Sequence, residues 1–99
     1  MRNFKMNKKI KVEILLIEEE GDYCAKCCKT VNVIDRMMED IPRLKHNVEI
    51  FYSDLNSQEN LQKYGKLHPP LIIIDNVIFS EGHVPVIKKL AKTLLESIA

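Results

Sequence analysis

All three cysteines of this 99-residue chain lie in one short run, the segment YCAKCC at residues 23–28. Cys24 and Cys27 have C-x-x-C spacing, and an amphipathic helical pattern begins at the same point. Residues three apart share one face of a helix, so two such thiols can close a small disulfide ring with little backbone movement. The unpaired N–H groups and the dipole at a helix start favour the thiolate form of Cys24, which is the species that attacks disulfides. Cys27, one turn further along, could then resolve a mixed disulfide.

Cys28 does not fit this scheme, because it is turned by about 100° from Cys27 around the helix axis. Three roles are open to it. The favoured one is a small, partly buried helix residue; the others are an auxiliary thiol that exchanges with Cys24 and a third ligand for a soft metal or metalloid. A closed tetrahedral zinc site would need a fourth ligand, which His68 or His83 could supply. The sequence has no second C-x-x-C, which argues against a zinc ribbon.

The composition indicates a single globular domain. Apolar residues make up 45% of the chain, and 15 Lys and Arg nearly balance 14 Asp and Glu, for a net charge of +1. Without a large field of one sign, we expect no nucleic-acid partner and no membrane-surface partner. Residues 1–9 are polar and basic and are predicted to form a flexible segment before a domain at residues 10–99, which is expected to be a monomer.

The sequence also bears on the redox compartment. No stretch approaches the roughly 20 apolar residues of a membrane span. The apolar run at residues 14–17 is flanked by Glu13 and Glu18 and is too short for a secretory signal. A cytoplasmic protein is therefore predicted. Because a reducing compartment disfavours structural disulfides, clustered cysteines there indicate redox or metal chemistry.

The elements around the cysteines follow from the apolar spacing. Residues 10–17 are β-branched and aliphatic and predict a central strand that is buried on both faces. After a loop, a helix is predicted over residues 24–41, and Pro42 ends it. Its predicted buried stripe consists of Cys27, Val31, Ile34, Met38 and Ile41.

The second half of the chain also contains predicted strands and helices. Residues 47–54 predict a strand, and residues 55–57 open a short helix that runs to about residue 64, with Asn56 or Ser57 as N-cap and Gly65 as C-cap. Strands at residues 71–74 and 77–80 are separated by an Asp-Asn turn and should form an antiparallel hairpin. A last helix begins near Pro85. The order βαβαββα predicts an α/β fold, with a four-stranded mixed sheet in a three-layer α/β/α sandwich.

This arrangement resembles the thioredoxin superfamily, in particular its small thioredoxin-like and glutaredoxin-like disulfide oxidoreductases. The features that carry the resemblance are the CAKC motif at residues 24–27, the proline-led strand PLIIID at residues 70–75, and the EGHVP segment at residues 81–85. The resemblance implies a protein thiol–disulfide oxidoreductase with Cys24 as the nucleophile and Cys27 as the resolving thiol. It also implies no bound cofactor or metal, a protein or small-molecule disulfide as substrate, and a thiol reductase as partner.

In that family a cis-proline faces the dithiol and holds the substrate chain. Pro70 matches this position, and Pro69 is the alternative. With Pro70 in that place, Pro69 stands where the family has a residue whose N–H binds substrate, and proline has no N–H. Substrate pairing on that side is thus expected to differ from that of the family.

Further departures surround the motif. Tyr23 stands where thioredoxin has Trp, and Lys26 adds a positive charge that favours the thiolate, whereas the acidic run at residues 18–20 opposes it. Glu18 has the spacing of the buried acid that handles the proton of the resolving cysteine in thioredoxin; a solvated loop charge is the alternative. Glutaredoxins carry a Gly-Gly pair where this chain has only Gly82, which weakens a glutathione-linked interpretation.

Two functional hypotheses of different classes follow. The preferred one is a cofactor-free disulfide oxidoreductase that works through Cys24 and Cys27. The alternative is a non-catalytic thiol module that binds a soft metal or metalloid through Cys24, Cys27 and Cys28. A glutathione-dependent reaction at Cys24 is a third possibility within the first class.

Overall fold

The computed structural model describes residues 9–19, 22–65 and 67–98, without the side chains of residues 18–19 and 22–23. The predicted flexible segment at residues 1–9 lies outside the described residues, apart from Lys9. Within the described residues, no helix is long and apolar enough to cross a bilayer.

The described part of the chain has six strands and four helices. The strands are β1 (Ile10–Leu16), β2 (Glu18–Glu19), β3 (Asp22–Tyr23), β4 (Val48–Asp54), β5 (Leu71–Ile74) and β6 (Val77–Glu81). The helices are α1 (Ala25–Asp40), α2 (Pro42–Asn47), α3 (Gln58–Tyr64) and α4 (Ile87–Ile98). Four of the strands form one sheet in the order β4-β1-β5-β6, and β2 pairs with β3 separately. Strand β1 is parallel to β4 and antiparallel to β5, which confirms the predicted four-stranded mixed sheet.

Two apolar clusters lie on opposite faces of this sheet. The larger one joins β1 to helices α1, α2 and α4 through residues such as Ile14, Ile34, Leu44 and Leu90. The smaller one lies on the other face, where Leu15, Leu71 and Ile73 pack with Leu55 and with residues at the end of α3. The predicted three-layer α/β/α arrangement is therefore confirmed. Because β1 and β5 are covered on both faces, every residue of β5 is buried, as its LIII sequence indicates.

The hairpin between β5 and β6 is built by the turn that its sequence predicts. Asp75 and Asn76 have φ values of 45° and 71°, which suit the mirror-image turns that match the twist of a β-hairpin. The caps of α3 also agree with the sequence: the Ser57 side chain accepts from the N–H of Asn60, and Gly65 follows with a φ of 70°. Strand β6 runs to Glu81, one residue beyond its predicted end.

The structure departs from the sequence-based expectations along α1 and directly after it. Pro42 ends α1, as predicted, but it also opens a second helix, α2, which was not predicted; proline suits the first turn of a helix. The buried residues of α1 are Cys27, Thr30, Ile34 and Met37, whereas Val31, Met38 and Ile41 are half-buried. Thr30 is tolerated inside because its hydroxyl donates to the carbonyl oxygen of Lys26 at 2.7 Å, so no buried polar group is left unpaired there.

Candidate active site

Cys24 is the N-cap of α1, as its spacing before the amphipathic pattern indicates. Its own N–H donates to the carbonyl oxygen of Ile17 at 3.3 Å, which ties it to the end of β1. Its side-chain sulfur accepts from the N–H of Cys27 at 3.3 Å, and its carbonyl accepts from the N–H of Cys28 at 2.9 Å. The sulfur therefore lies at the end of the helix where unpaired N–H groups and the dipole favour a negative charge.

The two sulfurs of the C-x-x-C pair lie side by side. Cys24 Sγ and Cys27 Sγ are 2.8 Å apart and share a hydrogen bond. A disulfide bond is about 2.0 Å long, so closing one requires only a small side-chain movement. Cys24 is half-buried, whereas Cys27 has no exposed surface. An incoming molecule can therefore reach Cys24, and the second sulfur is accessible to it only through the first.

Cys27 is held as a neutral thiol. Burial of its sulfur, followed by the hydrogen bond with Cys24, raises the pKa of Cys27 from 9.0 to about 11. A hydrogen bond from the backbone of Ile17 opposes this shift only in part. At neutral pH the inner sulfur thus keeps its proton and must lose it before it can attack.

One residue of a proline pair lines the same groove as Cys24. The peptide bond between Pro69 and Pro70 is cis, so Pro70 carries the cis bond, as the spacing from Asp75 predicts. Pro70 is buried and Pro69 is half-buried. Pro69 lines an open groove of about 560 Å³ whose other lining residues are Cys24, Ala25, Lys26, His68 and Gly82. The outer sulfur thus opens into a space large enough for a segment of peptide or a small disulfide.

Hydrogen bonds join the walls of this groove. Lys26 Nζ donates to the carbonyl oxygen of Gly82 at 3.1 Å, and the N–H of Gly82 donates to the carbonyl oxygen of Pro70 at 3.0 Å. The N–H of His68 donates to Glu81 Oε2 at 2.9 Å. The first turn of α1, the segment before β5 and the end of β6 are therefore connected directly around the dithiol.

Sequence reasoning named His68 only as a possible metal ligand and Gly82 only at the position of the glycine pair of glutaredoxins, and it did not predict that both line this groove. Gly82 has a φ of 80°, and a Cβ atom there would lie 3.4 Å from the Cβ of His68. A lone glycine after a strand does signal a backbone with positive φ. Nothing in the local sequence indicates that its carbonyl would accept a hydrogen bond from Lys26, 56 residues earlier.

Cys28 is not among the described residues that line the groove. Cys28 is exposed, so the expectation of a partly buried residue is wrong. Among the residues that the structure describes, no group of three or more His, Cys, Asp or Glu side chains could hold a metal ion. The backbones of Glu18 and Tyr23 pair with each other between β2 and β3, and the roles predicted for their side chains lie outside the described atoms.

No protein-family model and no curated protein sequence matches the chain. Solved structures do match it, and they agree with this architecture.

Among solved structures, a thioredoxin from Fasciola hepatica matches with a TM-score of 0.63 and 17% identity, over 93% of this chain and 84% of that one. Thioredoxin-2, a component of the malaria parasite protein secretion machinery, has a TM-score of 0.66 and 14% identity, over 89% and 82%. The germline-specific thioredoxin Deadhead of Drosophila melanogaster has a TM-score of 0.63 and 12% identity, over 93% and 84%. The chain therefore has the thioredoxin-like fold.

Proposed function

We propose that this protein is a thiol–disulfide oxidoreductase that uses Cys24 and Cys27 as a dithiol/disulfide couple. The observation that carries the proposal is the contact between the two sulfurs, 2.8 Å apart at the start of α1. The half-buried position of Cys24, the full burial of Cys27 and the groove beside Pro69 support the same assignment. The thioredoxin-like fold makes such an activity possible, and the proposal itself stands on the geometry of the two thiols.

The reaction proceeds in two exchanges. The Cys24 thiolate attacks one sulfur of the substrate disulfide, whose S–S bond breaks as the mixed disulfide forms, and the departing sulfur leaves as a thiolate that takes up a proton. Cys27 then loses its proton and attacks Cys24 Sγ, which releases the second substrate thiol. Two electrons have moved from the dithiol to the substrate, and a Cys24–Cys27 disulfide remains. A thiol reductase or a small thiol restores the dithiol.

The order of the two exchanges follows from burial and charge. Cys24 can meet an incoming disulfide, whereas Cys27 is shielded and binds its proton more tightly than an ordinary thiol, with its pKa raised to about 11. We accordingly assign nucleophilic attack to Cys24 and resolution to Cys27. The proposed partners are a protein or small-molecule disulfide and a thiol reductase, and the proposed compartment is the cytoplasm.

Trapping tests the assignment. Cys27→Ser should accumulate covalent mixed disulfides through Cys24, because the resolving thiol is missing, whereas Cys24→Ser should accumulate none. Cys28→Ser is the matched control: it alters an exposed cysteine on the same helix and should neither trap nor lose activity. The adducts are read by non-reducing electrophoresis and mass spectrometry. Absence of adducts with Cys27→Ser, together with failure of the unaltered protein to reduce a model disulfide, would refute the proposed function.

The metal-binding alternative has no supporting arrangement in the described residues, since the three cysteines do not converge on a common point with other ligands. Metal analysis of protein purified under reducing conditions distinguishes it from the redox proposal. A stoichiometric soft ion whose retention requires Cys28 would favour binding over catalysis.

A further inference from the structure

The groove wall that faces Cys24 lacks backbone donors. Pro69 and Pro70 have no amide N–H. The N–H of the residue before them, His68, already donates to Glu81 Oε2 at 2.9 Å. Three consecutive residues therefore offer a bound peptide no backbone N–H, and a substrate carbonyl cannot pair with this wall as it would with the edge of a sheet.

Besides the backbone N–H groups of Ala25 and Lys26 in the first turn of α1, the groove offers a charged side chain as donor. Lys26 lines the groove and is exposed. Its Nζ donates one hydrogen bond to the carbonyl oxygen of Gly82 at 3.1 Å, which holds the ammonium beside the groove. An ammonium group carries three N–H donors, so two remain for a ligand. His68 lines the same groove, and its side chain is of a type that can donate as well.

No opposing charge comes from the described residues that line the groove. None of the six carries a carboxylate. The carboxylate of Glu81, which is not among these lining residues, accepts from the N–H of His68. A negative group in this space would therefore meet the Lys26 ammonium and no described lining residue that repels it.

We propose that the groove selects disulfides that carry a carboxylate next to the reacting sulfur, such as a disulfide flanked by Asp or Glu in a peptide. The carboxylate binds the Lys26 ammonium while the disulfide lies against Cys24 Sγ. This inference rests on the proposed function and names its substrate class. Lys26 is a specificity residue in this scheme, and the electrons still come from Cys24 and Cys27.

Three small disulfides of matched size test the selection: dithiodipropionate, which is anionic; hydroxyethyl disulfide, which is neutral; and cystamine, which is cationic. The reduced protein reacts with each in a single turnover, so its own dithiol supplies both electrons. The loss of the two thiols over time is measured by acid quenching, alkylation of the remaining thiols and mass spectrometry. Each rate is divided by the rate of dithiothreitol with the same disulfide, which removes the intrinsic reactivity of the three compounds.

We expect the anionic disulfide to react about three to five times faster than the neutral one after this correction, and the cationic one more slowly, as for a partly exposed charge pair. Lys26→Gln should abolish the preference and Lys26→Arg should retain it. Lys29→Gln removes an exposed lysine of the same helix that does not line the groove and should leave the preference unchanged. Added salt should weaken the preference, because it screens exposed charges.

Equal corrected rates for the anionic and neutral disulfides, a preference for cystamine, or a preference that survives Lys26→Gln would each overturn this inference while leaving the redox function intact. Failure of all three disulfides to oxidise Cys24 and Cys27 would instead overturn the proposed function, and the inference with it.

Discussion

The Sγ atom of Cys24 accepts a hydrogen bond from the backbone N–H of Cys27 at 3.3 Å, so the proposed nucleophile is also the N-cap of α1. The same sulfur lies 2.8 Å from Cys27 Sγ. One atom thus closes the first turn of the helix and reaches the resolving thiol. Helix stability and thiol chemistry are coupled at Cys24, and substitutions there should affect both.

Replacement of Cys24 should separate capping from reactivity. Serine retains a side-chain acceptor at the N-cap, whereas alanine does not. We expect Cys24→Ser to keep the stability of the reduced protein within about 0.5 kcal/mol and Cys24→Ala to lose about 1 kcal/mol. Both variants should be inactive. Urea denaturation under reducing conditions measures the difference, and equal stability of the two variants would show that the sulfur is not a working cap.

The stability of the reduced protein should fall at alkaline pH because of Cys27. Its pKa is about 11 in the folded protein against 9.0 for the ordinary thiol. Between these values the unfolded chain has lost a proton that the folded protein still binds, so the free energy of unfolding decreases as pH rises. Below about pH 9 the folded and the unfolded protein both keep this proton, so Cys27 does not change the free energy of unfolding with pH. The total loss is at most about 3 kcal/mol.

The control for this pH effect is Cys27→Ala, which removes the titrating group and leaves the other alkaline groups in place. Denaturation curves for both proteins at several pH values from 8 to 11, with a reductant present, give the two slopes. The unaltered protein should show the steeper decline. Parallel declines would mean that burial of Cys27 does not shift its ionisation.

The bridge from Lys26 to Gly82 should be sensitive to the backbone of Gly82. Its φ of 80° is unfavourable for alanine, so Gly82→Ala should cost about 1 to 2 kcal/mol and displace the carbonyl that accepts from Lys26. The reduction rate of a neutral disulfide should fall at least about twofold, because the groove is repositioned.

Gly65→Ala is the matched substitution for Gly82→Ala. Gly65 also has a positive φ, of 70°, with open space where a Cβ would lie, and it does not line the groove. It should lose about 1 to 3 kcal/mol of stability without a change in reduction rate. Stability is measured by denaturation and the rate by thiol alkylation. A similar loss of rate in both variants would remove Gly82 from the site.

The burial pattern on the face of the sheet that α3 covers can be tested by replacing leucines there. Leu15 is fully buried in the cluster on that face of the sheet, and Leu15→Ala should cost about 2 to 5 kcal/mol. Leu61, on α3 itself, is 41% exposed, and Leu61→Ala should cost less than about 1 kcal/mol. Guanidinium denaturation gives both values. Comparable losses would contradict the burial pattern of this layer.

Several features of the fold are determined by residues that are close together in the sequence. The apolar LIII run predicts a strand buried on both faces, and the Asp75-Asn76 turn predicts the hairpin that follows it. Ser57 and Gly65 mark the ends of α3, because capping depends on groups within a few residues. By contrast, α2 was not predicted, because a proline at position 42 is compatible both with the end of one helix and with the first turn of the next.

The sequence by itself determined the pairing of Cys24 with Cys27, the helix that carries them, and the proline before β5, because spacing and backbone chemistry are local properties. Tertiary structure decided that Lys26 meets Gly82 and that Cys28 is exposed while its neighbour Cys27 is fully buried. It also decided that Met37 rather than Met38 enters the core. These outcomes depend on contacts between residues far apart in the chain and on how α1 is rotated against the sheet. Helical periodicity predicts this rotation only to within about one residue.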